Sequence, residues 1–113
     1  MRNAKLPTNL LVAAQIRIAC ASGITMLLRR RGEPSSGAIV LKIDLLNGKA
    51  RVLTQIRLDD ELAWAPASKT GIMTNEEAEN YINAQINMDP DIWVVEIEDR
   101  EGRHFFPGRI VSL

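Results

Sequence analysis

The chain has 113 residues, 46% of them hydrophobic and 25% charged, and its 14 basic side chains balance its 14 acidic ones. This excludes a wholly disordered chain, which would be poor in hydrophobics, and the length fits one domain burying about 65% of the unfolded surface. A single cysteine excludes an intrachain disulfide, and with a single histidine it falls short of the three or four such ligands of a zinc site.

Residues 1–5 read as a loose tail on one domain spanning 1–113. Arg2 and Lys5 before the apolar residues 10–14 look like the start of a signal peptide. Pro7, Gln15 and Arg17 leave its apolar stretch too short. No run reaches the 18 or so apolar residues of a membrane span. The expectation is a cytoplasmic protein. Pro7-Thr8-Asn9 opens a helix with Thr8 or Asn9 as N-cap, running to about Ser22 and stopping at Gly23. Only Thr8, Gln15 and Ser22 form a polar stripe, so this helix is wedged between layers or covered by a partner chain. Cys20 inside it fits a small buried hydrophobe better than a nucleophile.

Residues 24–30 form a strand, and 31–37 a loop that is bounded by glycines but lacks a phosphate-cradling motif. Ala38–Leu46 and Lys49–Leu58 read as strands joined by Asn47-Gly48, a two-residue turn with both central φ positive. Partial alternation along them suggests one wetter sheet face. After a turn at Asp59-Asp60-Glu61, a short strand carries Trp64 and ends at Pro66. Thr74-Asn75-Glu76-Glu77 is a capping box. The helix after it sets Ala78, Tyr81, Ile82, Gln85 and Ile86 on a sheet and ends at Asp89-Pro90. Residues 92–106 read as a closing hairpin, with Asp99 opposite Arg103, Glu98 opposite His104 and Ile97 opposite Phe105. Trp93, Val95, Ile97 and Phe105 would share its core face.

The fold class expected is α+β: a single, mainly antiparallel sheet of five or six strands with two helices on one face. The order is helix, four strands, helix, C-terminal hairpin.

Residues 1–57 hold ten basic and two acidic side chains, and residues 58–113 hold four and twelve. Either the surface is bipolar, or the halves interleave and pair their charges across strands. Two constellations bear on chemistry. Arg29, Arg30 and Arg31 could hold a phosphate or nucleic acid, since arginine matches phosphate bidentately, or could guard an edge strand. No aromatic residue is interleaved with them to stack on bases. Glu96, Glu98 and His104 could act as acid, base or hard-ion ligands, or could be a solvated strand face. No catalytic, metal or cofactor motif is complete.

The Arg29-Arg30-Arg31-Gly32-Glu33-Pro34 run, Gly37-Ala38, the Asn47-Gly48 turn and above all residues 89–105, from Asp89-Pro90-Asp91-Ile92-Trp93 to His104-Phe105, resemble a known family. It is the group of short alphaproteobacterial proteins catalogued as domain of unknown function fourteen ninety-one. The resemblance covers nearly the whole chain and implies a stand-alone, single-domain bacterial protein. It carries no assigned activity and supplies no catalytic residues. The first functional expectation is therefore a small cytoplasmic interaction or accessory protein, self-associating as a homodimer through its apolar first helix. The alternatives are an anion or nucleic-acid binder using Arg29–Arg31, and an enzyme using Glu96, Glu98 and His104.

Overall fold

The computed structural model describes residues 6–111, so the expected tail at 1–5 lies outside the described residues. In chain order the elements are α1 (Thr8–Ala21), β1 (Met26–Arg30), β2 (Ile39–Asp44), β3 (Lys49–Leu58), β4 (Glu61–Pro66), β5 (Met73–Thr74), α2 (Asn75–Met88), β6 (Trp93–Glu98) and β7 (Arg109–Ile110). The class is α+β with two helices and one sheet, as expected, but the sheet has seven strands and is mixed. Its order is β1-β6-β2-β3-β4-β7, with β5 attached to β3. Four pairings are antiparallel, while β2–β6 and β4–β7 are parallel.

The expected closing hairpin does not form. β6 already has β1 on one edge and β2 on the other, so no edge remains for a returning strand. The turn itself is present: Gly102 N–H donates to the Asp99 carbonyl, and the Asp99 side chain takes the Arg103 N–H and guanidinium. Phe105 then adopts φ 64°, and the chain crosses to the far edge, where β7 pairs with β4. Phe106, rather than Phe105, becomes the buried phenylalanine.

The helices lie on opposite faces of the sheet, not on one. Val12 and Ala19 of α1 pack with Ile39, Leu41, Trp64, Trp93, Val95 and Ile97. Ala78 and Ile82 of α2 pack with Val40, Val52 and Val94. A strand covered on both faces reads as a continuous apolar run, and β2 is buried along nearly all its length instead of alternating.

Local chemistry explains the remaining details. α1 begins at Thr8 without a side-chain N-cap, because the Pro34 and Ser35 carbonyls accept the Asn9 and Thr8 N–H groups. At its other end Gly23 (φ 77°) and Ile24 return N–H bonds to Cys20 and Ala19, the glycine stop read from the sequence. The capping box at Thr74 and Glu77 forms as expected. The two turns exchange roles. Asp59 and Asp60, both with positive φ, make the two-residue hairpin turn between β3 and β4. The turn at Asn47-Gly48 is a three-residue loop instead, closed by Leu45 N–H to the Lys49 carbonyl. There Leu46 and Gly48 carry the positive φ, and Asp44 accepts the Leu46 N–H.

The 31–37 loop is pinned to β6. Trp93 Nε1–H donates to the Glu33 carbonyl at 2.8 Å, and Glu33 N–H donates to the Asp91 carbonyl at 2.9 Å. A Cβ on Gly32 would sit 2.3 Å from that Asp91 oxygen. In urea unfolding, Gly32→Ala is expected to lose about 3 kcal/mol through this overpacking. Gly48→Ala, with open space around it, should lose only about 1 kcal/mol for its left-handed backbone. Equal losses would contradict the close approach.

Candidate functional site

Two places on the molecule gather functional groups. The first lies on the α2 face. Lys42 stands mid-way along β2 beside Val40, and in the β2–β6 register it adjoins Glu96. It is 3% exposed, so its charge needs a partner. Glu79, on α2 above it, provides one and shares it with Arg29. The Arg29 fork meets both Glu79 oxygens at 2.7 and 2.8 Å and also reaches Glu96 at 3.1 Å. The Arg29 hydrogen bonds and the Lys42 ammonium, against some burial, hold the Glu79 carboxyl down at about 2. The same Glu79 bonds raise the Arg29 guanidinium above its ordinary value. A carboxylate this acidic is a poor proton acceptor near neutrality, so the cluster clamps α2 to the sheet. It also joins basic residues of the first half to acidic residues of the second, as the interleaved reading of the charges expects.

The sequence-derived candidates are dispersed around this cluster. Arg29 is engaged as described. Arg30 donates to the Pro90 and Ile92 carbonyls at 2.7 and 2.9 Å. Arg31 lies over the Trp93 ring, 5.4 Å from its centroid. Glu98, at the end of β6, is exposed. His104 is on the other side of the sheet, 5.6 Å from Trp64 between ring centroids, with its Nδ1 accepting the Phe106 N–H at 3.1 Å. Burial first, and then the Arg51 charge, push its pKa down against a bond to the Gly108 backbone. The structure therefore does not bring His104 to Glu96 and Glu98. Among the described residues no group of three His, Cys, Asp or Glu side chains could hold a metal.

The second place is a groove of about 670 Å³ between α1 and the sheet edge at β1. Val12, Ala13, Ile16 and Leu28 give it apolar walls, and Arg17 and Arg31 also line it. Cys20 opens into it and is exposed, not buried as its apolar neighbours in sequence suggest. The outer side of α1 is apolar too: Leu10, Ala14 and Ile18 are exposed at four-residue spacing. The helix is therefore not wedged between layers. Sequence reading missed this groove because its walls come from segments far apart in the chain. The one local signal was Arg17, a charge interrupting an apolar helix.

The family model described as "Protein of unknown function (DUF1491)" matches residues 6–107. The chain belongs to the DUF1491 family. A DUF1491 protein of Caulobacter crescentus solved by crystallography is 35% identical, with a TM-score of 0.79 over 95% of this chain and 98% of that one. An NMR structure of a DUF1491 protein from the same organism is likewise 35% identical, with a TM-score of 0.81 over 97% of this chain and 100% of that one. A solution structure of a protein from A. tumefaciens, at 23% identity and a TM-score of 0.78 over 97% of this chain and 98% of that one, shares the fold. No curated protein matches the chain.

Removing the Glu79 charge from this DUF1491 chain tests the clamp. Glu79→Gln is expected to cost about 2–3 kcal/mol, below the about 3–5 of a fully buried pair, because a third of its side chain stays in water. Glu79 is more acidic folded than its ordinary 4.5, so its contribution is complete above that value and is lost as pH falls toward about 2. Urea titrations from pH 7 to pH 2 should therefore converge for parent and variant at the acid end. Parallel curves would show that Glu79 is not the clamp.

Proposed function

We propose that this protein is a small, non-catalytic interaction protein of the cytoplasm that works as a weak homodimer. The observation that carries this reading is the outer stripe of α1. Leu10 and Ile18 are 52% and 57% exposed, and Ala14 between them has a side chain small enough for a second helix to approach closely. An apolar helix that buries only one side on its own sheet has a second side to cover. Crossing two such helices about a twofold axis sets the same stripe against itself, the self-complementary arrangement of most homodimers. The stripe from Leu10 to Ile18 is about 12 Å long by the helical rise per residue, so the contact is far smaller than a standard interface and the dimer is weak. The compartment is supported by an exposed free thiol at Cys20, which suits a reducing environment. No helix among the described residues is long and apolar enough to cross a membrane.

The basic run is not favoured as one anion site, because a phosphate at Arg29 would have to displace Glu79 and one at Arg30 two backbone carbonyls, which leaves Arg31 alone of the three without such partners. The enzyme reading is not favoured either, because His104 lies on the other side of the sheet from Glu96 and Glu98. Sedimentation velocity at tens of micromolar should show concentration-dependent dimerisation. Ile18→Glu should return a monomer with an unchanged circular dichroism spectrum. A strict monomer for the parent chain, or a dimer insensitive to this substitution, would overturn the reading.

A further inference from the structure

We propose that the groove between α1 and β1 binds a long-chain carboxylate, with its hydrocarbon tail on the apolar walls and its head group held by Arg17 and Arg31. This goes beyond the dimer reading and uses an adjoining strip of α1, since residues 10, 14 and 18 of the dimer stripe do not line the groove.

Arg17 and Arg31 are the two cations that line the groove. Neither makes a hydrogen bond or ion pair with another side chain among the described residues, whereas Arg29 and Arg103 are both paired with carboxylates. No acidic residue lines the groove to neutralise Arg17 and Arg31. Arg31 is also held in place before any ligand arrives. Its guanidinium lies over the indole of Trp93, and that indole is fixed by its own bond to the Glu33 carbonyl. A guanidinium held by a ring rather than by a carboxylate keeps its N–H donors available, and these can receive a carboxylate bidentately.

The walls define the rest of the ligand. Val12, Ala13, Ile16, Ala21 and Leu28 offer no hydrogen-bonding side chain. Apart from the arginines only Asn9, Cys20 and Trp93, whose indole N–H is already engaged, add polar atoms, so the body that fits is mainly hydrocarbon. The volume falls within the range of small-molecule sites, about 300–1,000 Å³. A second copy of the chain is a poor occupant, because a twofold pairing of this face would bring two sets of arginines together with no acidic group between them. A helical peptide, about 10–12 Å across, would seat only one side.

Cys20 supplies a direct test. It is the chain's only cysteine, it is exposed, and it opens into the groove. Laurate below its micelle concentration should slow alkylation of Cys20 at least fivefold and shift amide resonances along α1 and around Arg31. Dodecanol, with the same tail and no charge, should bind at least tenfold more weakly. Arg17→Gln/Arg31→Gln should bring laurate down to the level of dodecanol. Ala13→Trp, filling the groove from an exposed helical position, should abolish protection. The Ile18→Glu variant should retain it, so failure of the dimer and failure of the groove are read separately. Equal affinity for laurate and dodecanol, or resonance shifts lying elsewhere, would overturn the proposal. So would co-sedimentation with phosphatidylglycerol vesicles without laurate protection, which would place the anionic head group on a membrane instead.

Discussion

The structure depends on β6 lying between β1 and β2. This strand brings Trp93, Val95 and Ile97 to one face and Val94 to the other, and all four are essentially inaccessible to solvent. It hydrogen-bonds antiparallel to β1 and parallel to β2, whose sequence lies some fifty residues earlier. β1 therefore has no sheet partner other than β6. Trp93 extends the same role outward: its backbone N–H donates to Ala38, its indole N–H to Glu33, and its ring carries Arg31. The 31–37 loop held in this way then supplies the carbonyls that receive the first N–H groups of α1.

The charges follow from this arrangement. Lys42 and Glu96 become neighbours only because β2 and β6 are paired in parallel, and Arg29 joins them from the opposite edge of β6. Glu79 closes the set from α2. A buried ammonium in the middle of a sheet is destabilising alone, so the position of α2 is set by chemistry as well as by the packing of Ala78 and Ile82. α1 has no equivalent anchor along its body. Its Thr8 hydroxyl is tied to the Gly37 carbonyl, while Leu10, Arg17, Ile18 and Cys20 remain exposed. Rigidity on one face and open apolar surface on the other is why α1, rather than the ionisable cluster, carries the functional reading.

What depends on neighbouring residues was legible in the sequence. The glycine stop after α1, the capping box before α2 and the extent of β3 were all signalled within a few positions. What depends on distant pairing was not. The apolar residues of β6 and the acidic turn after it look like half of a hairpin, and only the occupation of both β6 edges shows why the return strand goes elsewhere. Asn47-Gly48 has the composition of a two-residue turn, yet the pairing of Leu45 with Lys49 leaves three residues to close the loop. Of the candidate site, the members Arg29, Glu96 and Arg31 were visible as charges. Lys42 offered a clue as a charge in the middle of an apolar strand, but its partner Glu79 lies on a helix 37 residues away.

Amide hydrogen exchange followed by NMR measures the central claim most directly. If β6 holds the molecule together, the amides of Val94, Val95, Glu96 and Ile97 should exchange only by global unfolding. Their opening free energy should then equal that of Leu41 and Leu53 in β2 and β3, and should match the value from urea denaturation. Exchange of β6 through a smaller, local opening, while β2, β3 and β4 stay protected, would contradict the account. The three-strand meander would then be the stable unit, with β6 an addition to it.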